Sequence, residues 1–179
     1  MLLISRRIGL RTTQSIGGRG LVCPRGEQVT NGSFELGTVG DTPTGWTQVD
    51  PFNWATKDCS SSHTGSCQCY YAIGSGIYQD IITSTPQACL TALGFWEKHF
   101  DWLAYVTRTR VTLTYTDNTT TVIPLNFVST GKAGVWTAYA YVNLLSYVEA
   151  SKTVKRVQIE CLATSGFDWY TDDVTCRGA

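Results

Sequence analysis

Residues 106–128 read VTRTRVTLTYT-DN-TTTVIPLNFV, and this stretch limits the possible fold more than any other in the chain. β-Branched side chains at alternate positions suit a pleated strand and lose rotamer freedom in a helix. Asp117-Asn118 supplies a turn between two such runs, which predicts a hairpin. Pro124 cannot donate to a ladder, so the second run belongs at a sheet edge or a bulge. The same reading predicts strands over 66–72, 76–82, 134–142, 154–162 and 170–176, separated by Gly, Asn and Asp. Residues 143–153 (NLLSYVEASKT) are the one candidate for a helical turn. Short strands at this spacing describe an all-β sandwich or barrel.

The chain divides into an N-terminal arm, 1–22, and a body, 23–179, with no repeat and no low-complexity linker. Leu2, Ile4, Ile8, Leu10 and Ile16 occupy even positions of the arm, while its odd positions are mostly polar or Gly. That is the period-2 pattern of a half-buried strand. Gly17, Gly18 and Gly20 follow as a hinge. Sixteen extended residues reach on the order of 50 Å, far enough to leave their own domain. The arm is thus a strand for a neighbouring subunit or for its own sheet. Its Arg, Ser and Thr content also fits a transit peptide or a frayed tail.

Lys and Arg number 14 and Asp and Glu number 14, so the formal net charge is zero. No basic patch interleaved with aromatics exists to bind nucleic acid. No segment approaches the ~18 apolar residues of a membrane span. Charged residues make up 16%, a low share that reduces self-repulsion and tolerates self-association. The seven cysteines do not show zinc-ligand spacing: Cys67 and Cys69 are the one close pair. Disulfides in an oxidising, extracellular setting account for them better. An odd count leaves one thiol free or linked to another chain. The sequons Asn31-Gly32-Ser33 and Asn118-Thr119-Thr120 are candidate glycosylation sites.

Three stretches of the body resemble the galactose-binding-like jelly rolls, and most closely the carbohydrate-binding modules of families 4 and 9. The first is Asn31-Gly32-Ser33-Phe34-Glu35 with Gly45-Trp46. The second is Gly76-Ile77-Tyr78-Gln79-Asp80-Ile81 with Leu93-Gly94-Phe95-Trp96. The third is Trp169-Tyr170-Thr171-Asp172-Asp173-Val174. The resemblance implies a jelly-roll β-sandwich preceded by the extended arm strand. It implies a structural calcium held by Asn31, Glu35 and Asp173, a set of hard oxygen donors suited to that ion. It also implies glycan contact through aromatic faces, for which Trp54, Trp102, Trp136 and Tyr139 are the candidates. Trp46 and Trp96 read as packing. The strand order of such folds places Cys23 near Cys176 and Cys89 near Cys161, and lets Cys59 close a polar loop onto Cys67. Cys69 is then left over.

Catalytic signatures are not evident. His63 and His99 stand in unrelated contexts, and no G-x-S-x-G, H-E-x-x-H or P-loop is present. Carboxylate pairs such as Glu97 with Asp101, or Asp168 with Asp172, read as solvated turn residues rather than a glycosidase pair. The expected role is therefore non-enzymatic. The leading expectation is a structural subunit that polymerises with itself, the arm adding as a strand to the next jelly roll. The alternative is a secreted carbohydrate-binding module.

Overall fold

A computed structural model describes residues 23–178 apart from positions 24, 51–53, 73, 87–88, 100–108, 124–133, 142–148, 150 and 163–168. The arm expectations at Leu2, Ile4, Ile8, Leu10 and Ile16 lie outside the described residues, as do Trp102 and most of the 143–153 segment.

Eleven strands run in chain order: β1 (Gly26–Glu27), β2 (Thr47–Gln48), β3 (Ala55–Asp58), β4 (Gln68–Tyr71), β5 (Gly76–Pro86), β6 (Leu90–His99), β7 (Thr109–Tyr115), β8 (Thr120–Ile123), β9 (Thr137–Tyr141), β10 (Thr153–Cys161) and β11 (Trp169–Gly178). They form two antiparallel sheets. The first has the order β3-β4-β11-β6-β9, with β1 paired to β11; the second has the order β2-β5-β10-β7-β8. No α-helix occurs among the described residues. The chain is a jelly-roll β-sandwich.

The predicted hairpin is β7–β8, closed at Asp117 and Asn118, and β8 is an edge strand; Pro124 lies outside the described residues. Asn118 takes a positive φ of 67°, which Asn tolerates better than most residues. Asp117 Oδ1 accepts the Thr119 amide at 3.0 Å and fixes the turn. Alternation then sends Val111, Leu113 and Tyr115 of β7 inward, to meet Ile77, Val157 and Ile159 from the same sheet and Leu93, Phe95 and Val174 from the other. At roughly 25 cal/mol per Å², burial of these apolar faces is the main force holding the sheets together.

The opening motif is structural. Asn31 Nδ2 donates to the carbonyls of Leu36 and Thr44 at 3.0 and 2.9 Å, and its Oδ1 accepts the Leu36 amide at 2.9 Å. Its backbone carbonyl accepts the Trp46 indole at 3.0 Å. Gln79 bonds both backbone groups of Thr30 and the Gly45 carbonyl, pinning this loop to β5. Trp46 packs on Phe34, ring centres 5.5 Å apart. The motif residues thus rivet a loop to the sandwich.

Two disulfides are present, Cys23–Cys89 and Cys59–Cys67. The pairings Cys23–Cys176 and Cys89–Cys161 are corrected. β1 does lie beside β11, but Gln28, not Cys23, faces Cys176, through an amide-to-carbonyl bond of 2.7 Å. Cys23 precedes Gly26, the partner of Gly178, and so falls at the β6 end where Gly178 meets Leu90 and Cys89 adjoins it. Cys161 pairs in register with Thr109, whose hydroxyl reaches Glu97 near the other end of β6. Eight strand residues, about 26 Å, separate that end from Cys89. Cys69, Cys161 and Cys176 stand outside the disulfides as buried thiols.

Candidate functional site

The outer faces of the two sheets differ. The second sheet carries ion pairs: Arg110 with Glu160, and Arg156 with Asp80. The first sheet carries aromatic rings, because β4, β6 and β11 alternate inward core residues with outward ones. In β4, Cys69 and Tyr71 are buried while Tyr70 is half-buried on the other side. In β6, Phe95 packs in the core and Trp96 faces out.

The pairing register arranges these outward residues in rows across the strands. One row runs Thr56, Tyr70, Tyr170, Lys98, from β3 through β4 and β11 to β6. Trp136, just before β9, completes it, with Lys98 Nζ 4.6 Å from its ring centre. Tyr70 and Tyr170 are in contact at 5.4 Å, and Lys98 Nζ lies 4.8 Å above Tyr170. From Tyr70 to Trp136 is three inter-strand steps, roughly 14 Å. A cleft of about 330 Å³ opens at the β3 end, lined by Val39, Gly40, Thr56, Lys57, Asp58, Ser60, Tyr70 and Tyr170. Trp54, 68% exposed, stands beside it at the start of β3.

The next row is Asp58, Gln68, Asp172, Trp96 and Ala138. It lies about 7 Å along the strands, two residues away, and is covered by the loop that Cys59–Cys67 closes. Ser60 Oγ donates to Asp58 at 2.6 Å. The amides of His63 and Thr64 donate to Asp172 Oδ2 at 2.9 and 3.2 Å. The His63 ring stacks on Trp96 at 3.7 Å, edges Trp136 at 5.7 Å and places Nδ1 2.8 Å from Asp173. Lys98 Nζ donates to the carbonyl and hydroxyl of Ser61 at 2.7 and 2.6 Å. Loss of hydration pulls the Lys98 ammonium below its ordinary pKa. Burial lifts the Asp172 carboxyl to about 6, against three amide donors that favour its charge.

Of the residues expected to bind a ligand, Trp54 and Trp136 therefore share this face. The Tyr139 side chain lies outside the described residues; its backbone pairs with Phe95. Trp96, expected in the core, faces outward. Tyr70, Tyr170, Lys98 and His63 were not among the candidates. For the two tyrosines the signal was present as alternation in QCYY and WYTDDV.

The expected calcium ligands are used otherwise. Both ends of the Asn31 amide are engaged within its loop, so this side chain does not fit a cation shell. Glu35 accepts the amides of Ser66 and Cys67, and Asp173 accepts the Thr64 hydroxyl beside His63. No cluster of three or more His, Cys, Asp or Glu suited to a metal occurs among the described residues. The Asn31 amide nitrogen is likewise committed, whereas Asn118 stands at an exposed hairpin tip.

No protein-family model and no curated protein matches the sequence. Solved structures do. The xylan-binding family 22 module of Xyn10C from Paenibacillus barcinonensis aligns at a TM-score of 0.58 and 13% identity, over 82% of this chain and 90% of that one. A family 16 carbohydrate-binding module aligns at 0.59 and 19%, over 83% and 98%. A cyclase from Fischerella sp. TAU aligns at 0.57 and 16%, over 84% and 96%. At such identities the likeness is one of fold, and the shared fold is the jelly-roll β-sandwich.

Proposed function

We propose that this chain is a non-catalytic extracellular module that binds a glycan along the row Tyr70, Tyr170 and Trp136, whose rings the buried Lys98 holds together, with Trp54 at its margin. The observation that carries the reading is the cross-strand register of these residues on one outer face. Aromatic faces cover the apolar C–H faces of sugar rings, and neighbouring polar groups read the hydroxyls. Asp58, Thr56 and Ser60 line the adjoining cleft. The binding modules among the structural neighbours support this reading. Two disulfides agree with an oxidising compartment. A glycan array tests the proposal with wild type, Tyr170→Ala and Trp136→Ala. Binding that each variant weakens by roughly tenfold is expected, about 1.4 kcal/mol per ring. No bound glycan, or variants that bind as wild type does, would sink it.

The alternating arm carries a second reading, assembly by strand addition. Among the described residues, β2 pairs with β5 only at Ile77 and Tyr78, and the far part of β5 meets β10 at Asp80, Thr85 and Pro86. Electron microscopy of the full chain beside a chain starting at Cys23 separates the outcomes. Filaments lost on truncation support assembly; dispersed particles in both refute it.

A further inference from the structure

The two sequons, Asn31-Gly32-Ser33 and Asn118-Thr119-Thr120, carry the same motif, but the fold uses their amides in opposite ways. Asn31 needs both hydrogens of its amide nitrogen. Nδ2 donates to the Leu36 carbonyl at 3.0 Å and to the Thr44 carbonyl at 2.9 Å. The Leu36 amide donates back to Oδ1 at 2.9 Å, so this side chain ties the opening loop together. The next residue, Gly32, already lies against β11, its carbonyl accepting the Val174 amide at 2.9 Å. Asn118 is the reverse case. It stands at the tip of the β7–β8 hairpin, where residues 116–120 are all exposed. Lysine only donates, so the Lys155 Nζ contact at 2.5 Å fixes Oδ1 as the acceptor and leaves Nδ2 as the other branch of the amide. Among the described residues, nothing engages the hydrogens of that nitrogen.

We infer that Asn118 is a site of N-linked glycosylation and that Asn31, despite its motif, has to stay unmodified for the chain to fold. The inference rests on the extracellular part of the reading above and not on ligand binding. The donor is an oligosaccharide carried on a lipid pyrophosphate. A bond forms between Nδ2 and the anomeric carbon of the first sugar. The anomeric carbon–oxygen bond breaks, the lipid pyrophosphate leaves with its electron pair, and the amide gives up one proton. The product keeps a single N–H. At Asn118 this removes no contact. At Asn31 it removes one of two donors, strands a carbonyl of Leu36 or Thr44, and sets a sugar where the loop closes. Transfer meets the unfolded chain, in which both motifs are open, so the fold decides which product survives. A glycan at Asn118 is bulky and hydrophilic. It would project from a hairpin of the second sheet and leave the aromatic row of the first sheet open.

The test directs the chain into the secretory pathway of cultured animal cells with a cleavable leader and compares the secreted and retained pools. Peptide-N-glycosidase F removes such a glycan and converts its asparagine to an aspartate. Digestion in heavy-oxygen water, followed by peptide mass spectrometry, separates this from spontaneous deamidation at Asn31-Gly32. Ser33→Ala and Thr120→Ala each erase one motif without touching its asparagine. Secreted wild type is expected to carry one glycan, mapped to Asn118, with Asn31 bare. Chains glycosylated at Asn31 are expected in the retained pool alone. Thr120→Ala should be secreted without a glycan, and Ser33→Ala should be secreted at least as well as wild type with the Asn118 glycan kept. Secreted protein with Asn118 bare, or with a glycan on Asn31, overturns the inference. If Ser33→Ala is itself retained with Cys23–Cys89 and Cys59–Cys67 unformed, the extracellular reading fails and this inference falls with it.

Discussion

Glu97 is the most unusual single residue. It sits fully inside the sandwich, where the Thr109 hydroxyl donates to Oε2 at 2.5 Å and the Trp169 indole donates to that same hydroxyl at 3.0 Å. Its Oε1 has no hydrogen-bond partner among the described residues. One hydroxyl does not replace the hydration of a carboxylate, so burial pushes the Glu97 carboxyl up to about 8 from an ordinary 4.5. Between those two values the unfolded chain has lost a proton that the folded chain keeps. Stability therefore falls as pH rises through this window, at up to about 1.4 kcal/mol per pH unit. Asp172, lifted to about 6, adds a smaller slope below pH 6. Urea unfolding at intervals from pH 5 to 8.5 is expected to show stability decreasing throughout. Glu97→Gln, which is neutral at every pH, should flatten the part between pH 6 and 8. A wild-type profile that rises toward pH 8 would contradict this assignment.

At the scale of elements, the opening loop and the disulfide loop both clamp onto β11. Gly32 lies so close to this strand that an added Cβ would fall 1.9 Å from the Val174 carbonyl oxygen, while the Gly32 carbonyl accepts the Val174 amide at 2.9 Å. Backbone on both sides of the contact leaves no side chain to yield. Gly32→Ala should cost about 1–3 kcal/mol, read as a drop in urea midpoint. Opening the second clamp with Cys59→Ser and Cys67→Ser should cost roughly 2–3 kcal/mol, since the bridge closes a short loop. It should also raise Trp96 exposure, read as stronger acrylamide quenching. These elements were unequally legible in the sequence. The β7–β8 hairpin followed from period-2 alternation and Asp117-Asn118, which are local signals. The role of Trp96 did not, because WEKH in β6 reads as an apolar strand with charges. Only the partner strands show that Glu97 points in and Trp96 out. Asn31 illustrates a related point: a loop amide and a metal ligand use the same side-chain chemistry, and the difference lies in what the fold brings to it.

Across the whole molecule, the cysteines show how strand order governs covalent structure. Cys23–Cys89 spans 66 residues and ties the start of the body to the head of β6. Cys69, Cys161 and Cys176 are each 1% exposed or less, so an odd thiol does not translate into a link between chains. Their surroundings suppress reactivity as well as access: burial holds the Cys69 thiol well above its ordinary pKa and lifts Cys176 to about 12. Thiolate is the reacting species, and the folded core disfavours it on both counts. Titration of the oxidised protein with a thiol reagent should therefore find almost no reaction in buffer. In denaturant without reductant it should find three thiols, one for each cysteine outside the disulfides. Two outcomes would break the argument. One thiol reacting in the native state would place Cys69, Cys161 or Cys176 at the surface. A single thiol in denaturant would mean a third bridge among Cys69, Cys161 and Cys176, which the structure shows as separate thiols.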